Sequence, residues 1–285
     1  GPCSLYIEKD RRFSMKKPIE GKTKIIRAFS EDETLVLITN KDDITAGDGD
    51  RRHTLPGKGE LATRTTANVF EYLHSQGVPV AYIGSHAPNQ FIAKACTMIP
   101  VEFVVRNVAV GSYLKRNPGV APGTLLSPPV IEYYYKTKDR RLGEHELPCD
   151  DPLMIENGKT FLLHEPSKPL ADGFITSLAD IPVQREQFLL KHIPRCRLLT
   201  RVVGELLTEA WHSVGGRLLD LKIECGIASN GEVVVADVID CDSWRVTHDG
   251  EQLSKQVYRD GGHLKKVLDV YVTAAELTDM FVSRD

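Results

Sequence analysis

The sequence predicts an α+β protein with two lobes, a β-rich N-terminal lobe and a mixed α+β C-terminal lobe. Two apolar, β-branched runs, Ile25–Phe29 and Thr34–Thr39, predict adjacent strands near the start of the chain. Towards its end, the patterns predict a helix, a hairpin and a second helix. The regular alternation of strands and helices that is typical of a doubly wound parallel sheet is absent. A chain of 285 residues suits about two domains, and we place the boundary near residue 100, which gives lobes 1–100 and 101–285.

The rest of the N-terminal lobe combines a loop, a helix and further strands. Residues Lys41–Gly59 are rich in Gly and Asp and predict a loop. Apolar residues at helical spacing predict a helix over Glu60–Gln76, and Gly77 suits the position just past its end. Apolar runs then predict two or three strands, at Val80–Ile83, at Phe91–Ala95 and, as a long strand, near Val101–Val110.

The C-terminal lobe opens with a segment that has many prolines and little periodicity. This segment, Asn117–Leu170, predicts loops and short elements. A helical pattern follows over Cys196–His212 and ends at a pair of glycines. Asn230-Gly231 is a strong hairpin signal. It lies between the predicted strands Leu218–Ala228 and Glu232–Asp240, and a last helix is predicted over Gly262–Val282.

Composition excludes several classes of protein. Hydrophobic residues make up 41% of the chain, charged residues 26%, and the net charge is −3, which is ordinary for a globular protein. We therefore expect neither a nucleic-acid nor a membrane partner. The six cysteines form no C-x-x-C pair, so a zinc site of that kind is not expected. Scattered single cysteines suit a reducing compartment, and we expect a cytoplasmic protein that acts on small molecules.

Two glycine-containing motifs of the N-terminal lobe are candidate ligand-binding sites. In Gly21-Lys22-Thr23-Lys24, the lysines Lys22 and Lys24 could meet the phosphates of a nucleotide, although the motif is not a P-loop. A solvated turn is the alternative. In Lys41–Gly49, acidic residues such as Asp43 alternate with glycine and could bind a metal or an amine. The spacing does not fit an EF-hand, and a plain polar loop is the alternative.

The segment Ile99–Ser112 predicts a phosphate-binding turn. A buried strand would present Arg106, and the turn after it would present Gly111 and Ser112. An arginine fork, a hydroxyl and a glycine amide together suit a phosphate group. The alternative is an arginine at a strand end that pairs with a carboxylate.

The predicted hairpin suggests a metal site. Asp220, Lys222 and Glu224 alternate along one strand and therefore share one face. If Asn230-Gly231 is a two-residue loop, Glu224 lies opposite Asp237, and two carboxylates in such a pair repel each other unless a cation joins them. Hard oxygen ligands suit Mg²⁺. The alternative is that both carboxylates point into solvent.

Two further groups of basic residues have different interpretations, one as a substrate-binding group and one as a solvated surface. Arg245, Lys255 and Arg259 could bind an anionic substrate, with a charged surface as the alternative. The basic stretch Lys191–Arg201 is interpreted as a solvated helix face. No histidine combines with a serine or cysteine in a recognisable nucleophile motif.

Taken in order, these motifs resemble the SAICAR synthetase family, the phosphoribosylaminoimidazole-succinocarboxamide synthases. The resemblance spans about Glu20 to Asp260 and is weak over Met154–Pro194. At Glu224-Cys225-Gly226 the family has phenylalanine in place of the cysteine, which we interpret as a packing change. The segments that carry the resemblance are Gly21–Lys24, Lys41–Gly49, Ile99–Gly119, Leu218–Gly226, Ala236–Arg245 and Lys255–Asp260.

The resemblance implies an ATP-dependent ligase of purine biosynthesis. Its substrates would be ATP, L-aspartate and the carboxylated aminoimidazole ribonucleotide, with Mg²⁺ as the metal. The family fold is α+β, with an ATP-binding β lobe like those of kinases and ATP-grasp enzymes. A small-molecule kinase and a catalytically silent nucleotide-binding relative are the alternatives. A homo-oligomer is possible, and the chain is too short to hold the carboxylase domain that follows in animal members.

The resemblance also implies roles for individual residues. Those at the ATP site would be Lys22, Lys24 and Met98, with Glu224 and Asp237 holding the metal. Catalysis would involve Asp43, Asp220 and Lys222, which would meet the imidazole substrate or the aspartate. Arg106, Ser112 and Arg245 would bind the ribonucleotide phosphate, and Lys255 and Arg259 are further substrate-binding candidates.

Overall fold

The N-terminal part of the chain forms a five-stranded antiparallel sheet and one long helix. The computed structural model describes residues 17–29, 31–47 and 49–282, so Cys3 and Asp48 lie outside the described residues. The strand order of the sheet is β1-β2-β3-β7-β6, and β4 and β5 form a separate hairpin. The elements are β1 (Ile19–Glu20), β2 (Lys24–Phe29), β3 (Asp32–Asn40), β4 (Asp43–Ala46), β5 (Arg51–Thr54), α1 (Lys58–Ser75), β6 (Tyr82–Ser85) and β7 (Gln90–Lys94).

The rest of the chain is built around a nine-stranded antiparallel sheet. Its order is β14-β13-β12-β9-β8-β15-β17-β18, and β16 also pairs with β15. The predicted domain boundary at residue 100 falls inside β8. The elements are β8 (Cys96–Val108), α2 (Ser112–Arg116), β9 (Leu125–Tyr135), β10 (Arg141–Leu142), β11 (His145–Glu146), β12 (Leu153–Asn157), β13 (Thr160–His164), β14 (Thr176–Ser177), α3 (Val183–Ser213), β15 (Gly216–Ala228), β16 (Val233–Ala236), β17 (Trp244–His248), β18 (Glu251–Gln252), α4 (Gln256–Arg259) and α5 (Leu264–Val282), with short 3-10 turns at Leu170–Asp172 and Leu178–Asp180.

The two central strands of the large sheet, β8 and β15, give it one apolar and one polar face. Side chains alternate along β8, so Phe103 and Val105 face one side while Glu102 and Arg106 face the other. Helix α3 covers the apolar side so closely that a Cβ on Gly204 would lie 3.0 Å from Cγ1 of Val105. The polar side is left free for charged groups.

Several predicted loops contain regular structure. The loop predicted at Lys41–Gly59 contains the β4–β5 hairpin, and the loop predicted at Asn117–Leu170 contains strands β9 to β13. Proline misled the prediction at Pro128 and Pro129, which lie where the pairing of β9 with β8 shifts register, between Val130 opposite Arg106 and Leu125 opposite Val108. Proline is tolerated at such an irregularity because its missing N–H leaves no ladder hydrogen bond unmade.

Helix α3 begins earlier than predicted. It starts at Val183 instead of Cys196 and continues through Pro194. Proline weakens a helix interior, which is why the helical pattern was taken to start after it. Burial on both sides of the proline compensates, since Leu189, Ile193 and Cys196 all pack in the core.

The predicted hairpin register is wrong by one residue. Glu224 lies opposite Ala236, and Ala228 N donates to Glu232 O at 2.9 Å, so the loop has three residues, Ser229 to Gly231. A three-residue hairpin loop with a left-handed last residue is a common type, and Gly231 has φ 86°. Asp237 follows the end of β16 with φ 58° and is therefore not a cross-strand partner of Glu224.

Candidate active site

A charged cleft lies between the N-terminal sheet and the polar face of the large sheet. The turn before β2 contributes lysines from one side, the β8–β15 pair forms the floor, and the segment after β16 closes the third side. Six of the sequence-predicted site residues line this cleft: Lys22, Lys24, Lys222, Glu224, Asp237 and Lys255.

Glu224 lies on the floor of the cleft among lysines. Its side chain is 5% exposed, and Lys136 Nζ lies 2.9 Å from its Oε1. A carboxylate does lie opposite Glu224, as the sequence argument required, but it is Glu102 on β8. Lys222 lies between them, with Nζ 3.7 Å from Glu102 and 3.6 Å from Glu224. The lysine thus offsets the repulsion that two facing carboxylates would otherwise suffer.

Asp237 reaches the same cleft from beyond the end of β16. Its Oδ1 lies 2.8 Å from Lys24 Nζ. Burial alone would raise the pKa of this carboxyl, but Lys24, Lys222 and Lys136 outweigh it and lower the pKa to about 2. Asp237 is therefore ionised near neutral pH. Lys24 of the predicted phosphate-binding motif thus contacts Asp237 of the predicted metal site.

Lys222 keeps its proton in this surrounding. Burial lowers its pKa, but Glu102, Glu224, Asp237 and Asp240 together raise it above the ordinary value of 10.5. The opposite holds for Asp240, whose pKa is raised to about 6, first by burial and then by the neighbouring Asp242. The cleft thus combines charged groups such as Asp237 and Lys222 with two carboxyls, Asp240 and Asp151, whose pKa values are raised to about 6.

Several charged residues of the cleft were not predicted from the sequence. Lys136 follows the end of β9, Lys58 begins α1 and is buried beside Asp242, and Asp151 precedes β12. Lys58 could have been noticed as a cation in a glycine-rich loop. Lys136 and Asp151 lie in the segment that was predicted to be loops, and no local pattern distinguishes them.

A chain of alternating charges crosses the same sheet face from β9 to β17. Arg106 donates to Glu132 Oε1 at 2.6 Å and to Asp220 Oδ2 at 2.8 Å. Arg116 donates to the other oxygen of Glu132, and Arg245 donates to Asp220 at 2.7 Å. Three arginines therefore share two carboxylates, and the group carries one excess positive charge.

The predicted phosphate-binding turn lies against this chain of charges. Arg106 Nη2 donates to Ser112 Oγ at 3.1 Å. Gly111 has φ 61°, and a Cβ there would lie 2.9 Å from Arg245 Nη2, so only glycine allows the guanidinium to approach. The structure thus brings together Arg106, Ser112, Asp220 and Arg245, which the sequence placed in three separate motifs.

The remaining predicted residues lie around these two clusters. Asp43 bonds to Arg52 and lies 3.8 Å from Lys41 Nζ. Met98 lies near the start of β8, where its Sδ would be 3.0 Å from a Cβ on Gly226. Burial lowers the pKa of Lys255, and burial followed by the nearby Arg245 lowers the pKa of Arg259. A high density of positive charge therefore surrounds Arg245.

The donor set of the cleft suits Mg²⁺ bound together with a nucleotide. Among the described residues no group of three or more His, Cys, Asp or Glu could hold a metal alone. Glu224 and Asp237 nevertheless offer hard carboxylate oxygens in one cleft. Mg²⁺ commonly takes one or two protein carboxylates and completes its shell with phosphate oxygens and water. The residues present therefore fit a metal that arrives with its nucleotide.

The sequence of this chain matches one family of known proteins. The sequence profile of the SAICAR synthetase family matches residues 17–148 and 176–276. The phosphoribosylaminoimidazole-succinocarboxamide synthase of Roseiflexus sp. (strain RS-1) is 40% identical over 278 residues, which cover 94% of this chain and 98% of the relative. This chain belongs to the SAICAR synthetase family. The unmatched interval, residues 149–175, overlaps the segment Met154–Pro194 over which the resemblance was weak.

Solved structures of SAICAR synthetases share the fold. A type-2 SAICAR synthetase in complex with ADP is 27% identical with a TM-score of 0.72, over 92% of this chain and 97% of that one. The synthase from Ehrlichia chaffeensis is 26% identical with a TM-score of 0.71, over 91% and 97%. The predicted family and α+β fold class are thus confirmed. No helix in the described part of the chain is both long and apolar enough to cross a membrane.

Proposed function

We propose that this SAICAR synthetase family member is an ATP-dependent ligase of de novo purine biosynthesis. It joins L-aspartate to 5-amino-1-(5-phospho-D-ribosyl)imidazole-4-carboxylate and forms ADP, phosphate and the succinocarboxamide product. The observation that carries the proposal is the cleft lined by Lys22, Lys24, Glu224 and Asp237, with the chain of arginines beside it on the same face of the large sheet that carries Glu224. A relative with this activity in its name is 40% identical over nearly the whole chain.

ATP binds at the N-terminal side of the cleft in this proposal. Lys22 and Lys24 contact the phosphates, and Met98 lies near the adenine. Glu224 and Asp237 would hold Mg²⁺, which would neutralise phosphate charge when bound. Lys24 and Lys136, which pair with these acids here, are then available to contact phosphate oxygens. One similar solved structure is a SAICAR synthetase in complex with ADP, which supports a nucleotide as a ligand of this fold.

The ribonucleotide binds at the arginine end of the cleft. Its phosphate meets Arg245, Ser112 and Arg106, where three arginines outnumber two carboxylates and leave charge to attract an anion. Asp220 accepts from two of these arginines, so it positions them. Lys255 and Arg259 add positive charge for the carboxylates of the substrates.

The chemistry activates a carboxylate by phosphorylation. An oxygen of the imidazole carboxylate attacks the γ-phosphorus of ATP, the bond from that phosphorus to the bridging oxygen of ADP breaks, and ADP leaves as the acyl phosphate forms. The aspartate amine then attacks the acyl carbon, and phosphate departs with the former carboxylate oxygen while the amine loses a proton. Lys222, which keeps its proton, stabilises the negative charge between the reacting groups and does not act as a base. Asp43 is the candidate partner for the aspartate amine or the imidazole.

A coupled assay for ADP release tests the function. ADP should form only when the ribonucleotide and L-aspartate are both present, together with one succinocarboxamide product per ADP. ADP formed at an undiminished steady rate without aspartate would indicate a kinase instead. No turnover with all substrates and Mg²⁺ present would indicate a silent relative.

A further inference from the structure

Three consecutive tyrosines end strand β9, and the middle one faces the charged side of the large sheet. Tyr133 and Tyr135 point towards helix α3, where their hydroxyls accept from Arg197 and Arg185. Tyr134 points to the opposite face because side chains alternate along a strand. Its side chain is buried, and no step of the proposed function uses it.

The Tyr134 hydroxyl lies between two arginines and a carboxylate. It donates its one proton to Glu132 Oε1 at 2.8 Å, and it accepts from Arg106 Nη2 at 3.1 Å and from Arg116 Nη1 at 3.3 Å. Burial alone would raise the pKa of this phenol, but Arg106 and Arg116 outweigh burial and lower the pKa. The hydroxyl thus links the two cations to the acid that they share.

Arg106 departs from the usual way in which an arginine meets a carboxylate. The strong arrangement is a fork, in which two N–H groups donate to the acid in parallel. Arg64 of this chain meets its carboxylate partner in that way, through Nε and Nη2. Arg106 also donates from Nε to Glu132, at 2.6 Å, but its Nη2 donates to the hydroxyls of Ser112 and Tyr134 instead.

The Tyr134 hydroxyl prevents Arg106 from closing as a fork onto Glu132. Its proton takes up the acceptor position on Oε1 that Nη2 would need, and its oxygen offers Nη2 a different acceptor. The other oxygen of Glu132 accepts from Arg116. Nη2 therefore stays beside Ser112, where the proposed function places the substrate phosphate.

The bonds of Nη2 are also the ones that an anion can displace. A charged phosphate oxygen is a stronger acceptor than a neutral hydroxyl. The other N–H groups of Arg106 donate to Glu132, to Asp220 and to the carbonyl oxygen of Val110. A phosphate therefore competes best for Nη2, and Tyr134 keeps this end of the guanidinium on hydroxyls.

We propose that Tyr134 is a positioning residue that makes the site selective for a phosphorylated substrate. Its hydroxyl gives Glu132 a neutral donor, so that the Nη2 end of Arg106 remains turned towards the phosphate monoester. The proposal rests on the proposed function, which places the ribonucleotide phosphate at Arg106 and Ser112.

Tyr134→Phe tests the proposal because it removes the hydroxyl and keeps the ring. Calorimetry with the full chain measures binding of the ribonucleotide and of the corresponding nucleoside, which lacks the phosphate. The variant should bind the ribonucleotide about fivefold to tenfold more weakly, because Arg106 can then close onto Glu132. Its affinity for the nucleoside should equal that of the wild type. Tyr133→Phe and Tyr135→Phe, which each remove an arginine-bonded hydroxyl on the other sheet face, should leave both affinities unchanged.

A double-mutant cycle with Glu132 distinguishes positioning from a loss of stability. Glu132→Gln removes the charge that would draw Arg106 away, so adding Tyr134→Phe to it should weaken ribonucleotide binding by about twofold at most. In the Tyr134→Phe single variant, the KM for the ribonucleotide should rise while kcat and the KM for ATP stay unchanged. Thermal unfolding of each variant shows whether it is folded.

The proposal is overturned if Tyr134→Phe binds the ribonucleotide as tightly as the wild type, or if the variant loses affinity equally for the ribonucleotide and the nucleoside. It is also overturned if the wild-type chain binds both ligands equally, since the phosphate then adds nothing to binding. The expected binding pattern in a chain that forms no ADP would support the positioning role and contradict the ligase function, so the two failures are distinguishable.

Discussion

The charged side chains of the cleft are held by neighbours of opposite charge. A substitution at one of them therefore changes both the stability of the fold around it and the proposed activity. Glu224 is shared by Lys136 and Lys222, and Asp220 by two arginines. The sequence predicted the members of the Asp220–Lys222–Glu224 face correctly because alternation along a strand needs only the count. It could not predict Lys136 or Glu132, because their partners are distant in the chain and only the sheet order brings them together.

Glu224→Gln tests the proposed metal end of the cleft. The amide keeps the shape of the side chain but removes a charge between two lysines and a candidate ligand of Mg²⁺. ADP release should fall by about a hundredfold or more while the protein stays folded. Glu232→Gln, at the exposed tip of the same hairpin, is the matched control and should behave like the wild type. Turnover near the wild-type rate in Glu224→Gln would contradict the assignment.

Arg106→Ala tests the arginine chain. The change leaves Glu132 and Asp220 buried with one arginine each, and breaking a buried ion pair costs about 3–5 kcal/mol of unfolding free energy. Ribonucleotide affinity should fall strongly while ATP affinity, measured by calorimetry, stays close to that of the wild type. The control variant Arg195→Ala, at an exposed position, should change neither the ribonucleotide affinity nor the ATP affinity. An equal loss of both affinities would mean that Arg106 serves only the fold.

Asp151→Asn tests how the raised pKa of the Asp151 carboxyl affects the stability of the fold. Burial and then Glu102 raise its pKa from 3.8 to about 6. The wild type therefore loses stability as the pH rises from about 4 to about 6, because the unfolded chain releases this proton more readily. Asparagine avoids that loss, accepts the same bond from Thr137 N and tolerates the φ of 52°.

The Asp151→Asn variant should be more stable than the wild type at pH 7 by about 1–2 kcal/mol, a value reduced for partial solvent exposure. The difference should vanish below about pH 4, where both chains are neutral at this position. Asp139→Asn, an exposed neighbour that also has positive φ, should change stability little at any pH. Denaturant unfolding at both pH values provides the comparison, and a pH-independent difference would refute the explanation.

At the scale of elements, long periodic segments were predictable and the turns and edges were not. The helix predicted at Glu60–Gln76 is α1 at Lys58–Ser75, and the last helix is α5. The hairpin was found but its register was wrong, since Asn230-Gly231 can end a two-residue or a three-residue loop. Strands β9 to β13 were missed because their partners, not their own sequence, specify them.

Gly226→Ala tests the close contact between β15 and β8. A Cβ at this position would lie 2.6 Å from the Cβ of Cys96, so the strands must move apart. The variant should lose about 1–3 kcal/mol of unfolding free energy. Gly84→Ala, in strand β6 with no atom within 4 Å of its added Cβ, should be neutral or slightly stabilising. If urea unfolding gave equal losses of unfolding free energy in the two variants, crowding against β8 would not be the cause of the loss in Gly226→Ala.

At the scale of the whole molecule, the predicted fold class and family are confirmed, whereas the cleft depends on contacts that no local pattern contains. Its lysines come from the start of β2 and the turn before it, from the residue after β9 and from β15, and its acids come from β8, β15 and beyond β16. Motif order was enough to predict the family. The alternating chain of three arginines and two carboxylates required the strand order β9-β8-β15-β17.

The proposed function requires this cleft to activate a carboxylate by transferring a phosphoryl group to it. The most direct measurement uses the ribonucleotide substrate with ¹⁸O in its carboxylate, together with ATP, Mg²⁺ and L-aspartate. Each phosphate released should carry one ¹⁸O atom, because the acyl carbon loses that oxygen when the amine attacks. Phosphate that contains no label while the succinocarboxamide product accumulates would contradict the claim.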